Sequence, residues 1–188
     1  CAVTLSKIAN DLRLMSSGPR AGFGEINLPA KQNGSSIMPG KVNPVIPEVV
    51  NQVAFNAIGN DMTITMAAEA GQLELNAFEP IIYCLFQSID TIAYAVNTFV
   101  DNCVIGITAN ETRCRYFVEN SVGIITAICP YVGYQKAAEI AKEAIKTGES
   151  VRKLIIEKGL LTKEQMDEIM DPVQMTEPGI SGKTVNKI

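Results

Sequence analysis

The sequence predicts an all-α protein in which long antiparallel bundle helices are followed by a small C-terminal domain of short helices. Apolar residues recur at helical spacing through two long segments in the first part of the chain. The second segment is apolar around most of its circumference, as expected of a helix that other helices surround. After Gly106 the periodic segments become short. We therefore expect a bundle portion, residues 1–107, and a small helical domain, residues 108–188.

Composition limits the classes of function. Of the 188 residues, 47% are hydrophobic and 19% are charged, which argues against a disordered chain. The formal net charge is −4 and no long basic run occurs, so we expect neither nucleic acid nor an anionic membrane as a partner. The chain has no histidine, which removes the commonest zinc ligand and the commonest general base. We expect no metal and no cofactor.

The five cysteines are widely spaced and form no CxxC pair, which argues against a metal or redox motif. Isolated cysteines of this kind are usually small core residues of proteins in a reducing compartment. Because no signal peptide is present either, we expect a cytoplasmic protein. The sequence starts without a cap inside an apolar helical stripe, so we expect a piece of a longer protein.

The first helix is expected to end near residue 17, where the sequence SSGP interrupts it. Glycine and proline then recur every few residues from Gly18 to Pro44, and no regular periodicity survives. Loops longer than about 12–15 residues in compact domains are usually functional or disordered. We therefore predict that residues 18–44 form a flexible, functional loop.

Pro44 and Pro47 open the next predicted helix, because proline is tolerated in the first helical turn. We expect this helix to extend to Ala70. One of its sides is rich in amides, including Asn51 and Asn60, which predicts a polar seam against neighbouring helices.

A turn over residues 72–77 separates this helix from a second long helix, predicted from Pro80 to Gly106. Its length would suffice to cross a bilayer, but polar and charged residues are spread through it. Charged side chains at membrane depth are costly, so a buried bundle helix is the better interpretation. The chain offers too few long helices to surround it, which indicates that neighbours come from elsewhere.

The C-terminal part is predicted to contain short helices. Thr108 and Glu111 have the spacing of a capping box, and so do Thr162 and Gln165. Three further segments are assigned from periodicity and composition: helices over 131–146 and 149–158, and irregular structure over 171–188.

The most informative stretch lies inside the long loop, where residues 34–44 have the sequence GSSIMPGKVNP. Two hydroxyls, a cation and an amide stand between glycines, which allow close backbone approach, and prolines, which fix the chain. A phosphate-binding loop does not fit, since five residues rather than four separate Gly34 and Gly40 and Val42 follows Lys41. On composition alone, a polar surface loop would be the default interpretation.

The whole stretch resembles the serine loop of the aspartase/fumarase superfamily of lyases. Three further segments resemble the same family: SGPR at 17–20, LNxxEP at 75–80 and GYxKAA at 133–138. The resemblance covers essentially the whole chain, which would be about two-fifths of such a protein. It implies a homotetramer whose long helices form a central bundle and whose active sites each take segments from three subunits.

Within the superfamily, residues 26–29 and 45–52 resemble the branch that eliminates ammonia from L-aspartate to give fumarate. The resemblance implies an anti elimination in which Ser35, as an alkoxide, removes the Cβ proton through an enediolate intermediate. Glu48 is the implied carboxylate that pairs with a histidine of another subunit, and in a first helical turn it also suits the helix dipole. The implied substrate-binding groups are Ser36, Lys41 and Asn43.

Two alternatives stay open. One is a fumarase or another superfamily lyase, although fumarases usually carry Thr-Gln-Cys-Glu where residues 45–48 are VIPE. Argininosuccinate and adenylosuccinate lyases usually carry a second basic residue where this chain has Val42. The other alternative is a helical assembly piece without activity, because the histidine of the family site is not in this chain.

Overall fold

The computed structural model describes residues 1–34 and 37–185. Most of these residues are helical, which confirms the prediction of an all-α fold. The chain forms two compact units, Cys1–Asn110 and Glu111–Ile188. The assignment of these units to a bundle portion and a C-terminal domain stays a prediction.

The described part of the first unit contains three α-helices, α1 (Ala2–Met15), α2 (Val45–Glu69) and α3 (Phe78–Asn102). Helices α2 and α3 are antiparallel. Asn60 donates to Gln87 and Ser88 at 3.0 Å, whereas Val50, earlier on α2, shares an apolar cluster with Phe99, later on α3. The Asn60 hydrogen bonds also confirm the predicted polar seam. A small apolar cluster joins the three helices and consists of Ala9, Val50, Phe99 and Cys103, with Leu5, Leu12, Leu28 and Ile46 packed against it.

A two-stranded antiparallel ribbon was not predicted. Strand β1 (Ile26–Asn27) pairs with β2 (Thr108–Ala109). The prediction that Thr108 caps a helix with Glu111 is wrong, because the hydrogen-bonding groups of Thr108 are used in this ribbon. The next helix begins at Glu111.

The second long helix ends earlier than predicted. α3 stops at Asn102 and is followed by a 3-10 turn over Val104–Gly106 rather than continuing to Gly106. Gly106 lies against the ring of Pro29 with no room for a side chain. The chain therefore leaves the helix in order to reach the ribbon, and this tertiary contact overrides the local apolar pattern.

The second unit contains six short helices among the described residues: α4 (Glu111–Asn120), α5 (Ile125–Val132), α6 (Tyr134–Thr147), α7 (Val151–Glu157), α8 (Lys163–Ile169) and α9 (Pro172–Thr176). Its core includes Ile128, Ile155, Met166 and Ile169. The predicted capping box of Thr162 and Gln165 is confirmed, with both reciprocal bonds present. The prediction of wholly irregular structure after Asp171 is wrong, because Asp171 caps α9.

Large apolar side chains cover the outer faces of α2 and α3. Phe55, Met62, Tyr83, Phe86 and Tyr94 are each at least 60% exposed within this chain. Contiguous apolar surface of this kind marks an interaction surface in most proteins.

None of the described helices is both long enough and apolar enough to cross a membrane.

Candidate active site

The described part of the long loop starts from a rigid stem. The Ser17 carbonyl accepts a hydrogen bond from the Gly24 amide at 2.8 Å, which closes a compact turn directly after α1. Asn110 then fixes the next residues, because its amide nitrogen donates to the Gly24 carbonyl at 2.8 Å and its backbone amide to the Glu25 carbonyl at 2.8 Å. With the β1–β2 ribbon, these contacts hold the chain up to residue 28 against the first unit.

The loop closes on itself at a neck formed by Gly34 and Lys41. A Cβ at Gly34 would overlap the Lys41 carbonyl, so the two backbones approach as only glycine permits. Gly40 has a φ of 81°, in the left-handed region that favours glycine. Between these two glycines lie Ser35 and Ser36, the predicted base and one of the predicted substrate ligands. Both fall outside the described residues.

The remaining predicted site residues follow the neck along the chain. Lys41 is exposed, and it forms no ion pair with any residue in the ranges 1–34 and 37–185. Asn43 is half-buried, and its carbonyl accepts from the Val45 amide at 2.9 Å where α2 begins. Glu48 lies in the first turn of α2 and is 36% exposed. The structure thus places Lys41 and Asn43 on the segment that leads directly into the helix carrying Glu48.

The carboxylate of Glu48 pairs with Arg13, which sequence reasoning did not single out. Arg13 lies in the last turn of α1, and its Nη2 is 3.5 Å from Glu48 Oε1. A signal for Arg13 does exist, because it follows buried Ala9 by four residues and so shares the face that α1 turns towards α2. A cation on an otherwise apolar helical face requires a partner.

No group of three or more His, Cys, Asp or Glu side chains that could hold a metal ion occurs among the described residues. The cysteines are free, and burial raises the pKa of the Cys103 thiol, so it packs as a neutral core side chain.

An open depression lies on the first half of α3, lined by residues that include Phe78, Tyr83 and Phe86. Gln87, which also lines it, accepts a hydrogen bond from Asn60 of α2 at 3.0 Å, and Asn60 lies about 18 Å along that helix from Glu48 at 1.5 Å per residue. The depression therefore lies away from the first turn of α2.

Two family models match parts of the chain. The model described as Lyase matches residues 1–59, which include the long loop and Glu48. The model described as Fumarase C C-terminus matches residues 124–177. A curated protein named aspartate ammonia-lyase from a Bacillus species is 60% identical over 184 residues, which make up 97% of this chain.

Solved structures of a fumarate lyase and of a class II fumarase also resemble this chain. The structure described as fumarate lyase:delta crystallin from Brucella melitensis bound to cobalt matches with a TM-score of 0.86 and 57% identity, over 94% of this chain and 38% of that chain. Recombinant class II fumarase from Schistosoma mansoni matches with a TM-score of 0.84 and 38% identity, over 94% of this chain and 37% of that chain. The chain spans about two fifths of the length of the curated relatives it matches, 39% for the Bacillus protein.

Proposed function

Because the chain belongs to the aspartase/fumarase superfamily, we propose that the complete protein containing it catalyses the reversible elimination of ammonia from L-aspartate to give fumarate. The observation that carries this proposal is the 60% identity, over 97% of the chain, to a protein named aspartate ammonia-lyase. The identity to a class II fumarase is lower, at 38%. The sequence VIPE at residues 45–48 supports the same choice.

The difficult step of this reaction is removal of the Cβ proton, which is weakly acidic beside an ionised carboxylate. Its removal builds a second negative charge on that carboxylate and gives an enediolate. Catalysis therefore needs a strong base and hydrogen-bond donors or cations aimed at the developing charge. Ammonia leaves from the neighbouring carbon on the opposite face.

Ser35 is the proposed base, acting as an alkoxide. A free serine hydroxyl does not ionise at neutral pH, so its surroundings must favour the anion. Lys41 supports this proposal, since it follows Ser35 by six residues across the Gly34–Lys41 neck and has no ion pair elsewhere in the described ranges. Exclusion of water when the loop closes would strengthen its effect on the alkoxide and on the substrate.

Three side chains are proposed to hold the substrate. Ser36 would bind the β-carboxylate together with backbone amides of the loop, Lys41 would bind as a cation and Asn43 as a neutral donor. Glu48 would orient a histidine supplied by another polypeptide segment, because this chain has none. The position of Asn43 and Glu48 at the start of α2 supports this division, since a helix terminus holds them more rigidly than a loop would.

A homotetramer with shared active sites is part of the proposal. It is supported by the large exposed apolar faces of α2 and α3, which one chain leaves uncovered. The free cysteines fit a cytoplasmic location.

The test is direct. The complete protein is mixed with L-aspartate, and fumarate formation is followed by its ultraviolet absorbance, with the chain described here assayed in parallel. We expect activity in the complete protein and none in this chain alone. Malate as the main product from fumarate would transfer the assignment to a fumarase. Inactivity of the complete protein towards both substrates would favour a purely structural role.

A further inference from the structure

A polar cluster joins the end of α1 to the start of α2, and Arg13 is its centre. Glu48 and Asn51 are three residues apart on α2, so they lie on one face of that helix. The guanidinium of Arg13 contacts both: Nη2 lies 3.5 Å from Glu48 Oε1 and Nη1 lies 3.3 Å from Asn51 Oδ1. A planar guanidinium fork suits two acceptors in this arrangement, whereas the single ammonium of a lysine does not.

The second acceptor is fixed independently of Glu48. Asn51 is 3% exposed, and its Nδ2 donates to the Ser6 carbonyl at 3.2 Å and to Ser6 Oγ at 2.9 Å. A backbone carbonyl can only accept, so the amide nitrogen must face Ser6 and Oδ1 must face Arg13. The guanidinium is therefore anchored from the Asn51 side before Glu48 is considered.

The placement of Arg13 is not explained by stability alone. Its Nε is buried and has no hydrogen-bond partner within residues 1–34 and 37–185. An unpaired buried donor is unfavourable, and an unbranched apolar side chain would fill the same space without that cost. The fork directed at Glu48 is the feature that an apolar residue could not replace.

We propose that Arg13 is a positioning residue that holds the Glu48 carboxylate in one orientation at the start of α2, through the fork anchored on Asn51. The inference rests on the proposed role of Glu48 in the function above, and it adds a residue to that site. Because Glu48 is partly exposed, a carboxylate without this anchor would sample several rotamers and would orient its partner less often.

The test uses the complete protein and a double-mutant cycle. The Arg13→Met variant should lower kcat for L-aspartate about tenfold to hundredfold, taking as a guide the loss found when hydrogen-bonded partners that orient metal-ligating side chains are removed. KM should change less than about threefold, since Arg13 would not touch the substrate. Combining Arg13→Met with Glu48→Gln should lower kcat no further than the more severe single change, because one residue acts through the other. Lys7→Met is the matched control on the same helix, where Lys7 is exposed and pairs with Asp11, and its kcat should be unchanged.

Chemical rescue separates positioning from a structural role. The Arg13→Ala variant should regain part of its kcat in millimolar guanidinium chloride and none in the same concentration of sodium chloride. If Arg13→Met does not fold, judged by sedimentation and thermal unfolding, Arg13→Lys decides, because it keeps the charge and loses the fork. A wild-type kcat for Arg13→Lys would overturn the inference.

The outcomes also separate this inference from the function on which it rests. Additive effects in the cycle, or a normal Arg13→Met beside an impaired Glu48→Gln, overturn the role of Arg13 and leave the lyase proposal intact. A normal Glu48→Gln, or a wild-type protein without lyase activity, overturns the proposed role of Glu48 and the inference with it.

Discussion

The neck of the loop can be tested with a single methyl group. Gly34→Ala places a Cβ inside the van der Waals radius of the Lys41 carbonyl, whose carbon would be only 3.1 Å away. The φ of Gly34 lies outside the left-handed region, so alanine meets no backbone strain and only the steric overlap remains. Carbon atoms prefer separations of about 3.5–4.0 Å and the carbonyl oxygen lies nearer still, so the neck must open by about 1 Å.

This displacement should lower the catalytic rate strongly and leave the free energy of unfolding almost unchanged. A misplacement of about 1 Å in catalytic groups lowers rates roughly hundredfold, equivalent to about 2.7 kcal/mol of transition-state stabilisation. The neck contributes no residue to the core of either unit, and its residues are exposed, so the overlap can be relieved by opening the loop without disturbing either core, at a stability change of about 0.5 kcal/mol or less. We therefore expect kcat for L-aspartate to fall about hundredfold in the complete protein, with an unchanged unfolding midpoint.

Steady-state kinetics and thermal unfolding measure the two effects separately. Gln32→Ala serves as the control, because Gln32 is an exposed residue of the same loop. A kcat for Gly34→Ala within about threefold of the control would refute the idea that the working loop keeps a closed neck. A large loss of thermal stability would instead show that the neck is part of the folded core.

Four other perturbations test different parts of the reasoning. Ser35→Ala in the complete protein should lower kcat by several orders of magnitude at unchanged stability; a loss below about tenfold would remove Ser35 from the role of base. Ile155→Ala should destabilise the second unit by about 2–5 kcal/mol in urea unfolding, since Ile155 is 0% exposed. The hydrogen bond from the Thr184 hydroxyl lowers the pKa of Glu168, so its stabilisation is present at neutral pH and lost as pH falls through the lowered pKa. Thr184→Val should therefore be less stable than wild type at pH 7, and the difference should shrink below about pH 4.5 in pH-dependent urea titrations. The isolated chain should self-associate in sedimentation velocity, and Phe86→Glu should weaken this, because burying the 60% exposed ring contributes about 3 kcal/mol.

The helices were predictable because their causes are local. The prolines at the start of α2 and the periodic apolar positions of α3 act within a few residues, and the structure starts these helices at Val45 and Phe78. The end of α3 was not predictable, since it depends on Pro29 and on a strand partner about 80 residues away. Strands of two residues are also too short to show an alternating pattern.

The candidate site also contains residues that the sequence predicts and one that it does not. The resemblance of the loop predicts Lys41, Asn43 and Glu48 as site residues, and their site roles stay a prediction; the structure places Lys41 at the neck, Asn43 just before α2 and Glu48 in its first turn. The sequence does not predict Arg13 as a site residue, because a single arginine on an amphipathic helix is ordinarily exposed to solvent. Only the packing of α1 against α2 brings it within reach of Glu48.

The two ends of the long loop are anchored, which suits the catalytic use proposed for it. Its first part is held by Asn110 and the β1–β2 ribbon, and its last residues lead into the first turn of α2, where Glu48 pairs with Arg13 and Arg13 also donates to Asn51. Between these anchors, residues 31–34 and 37–41 are exposed. If the substrate contacts this segment as proposed, its contacts favour the position of the segment in which they form, and the position of the loop is then coupled to substrate binding.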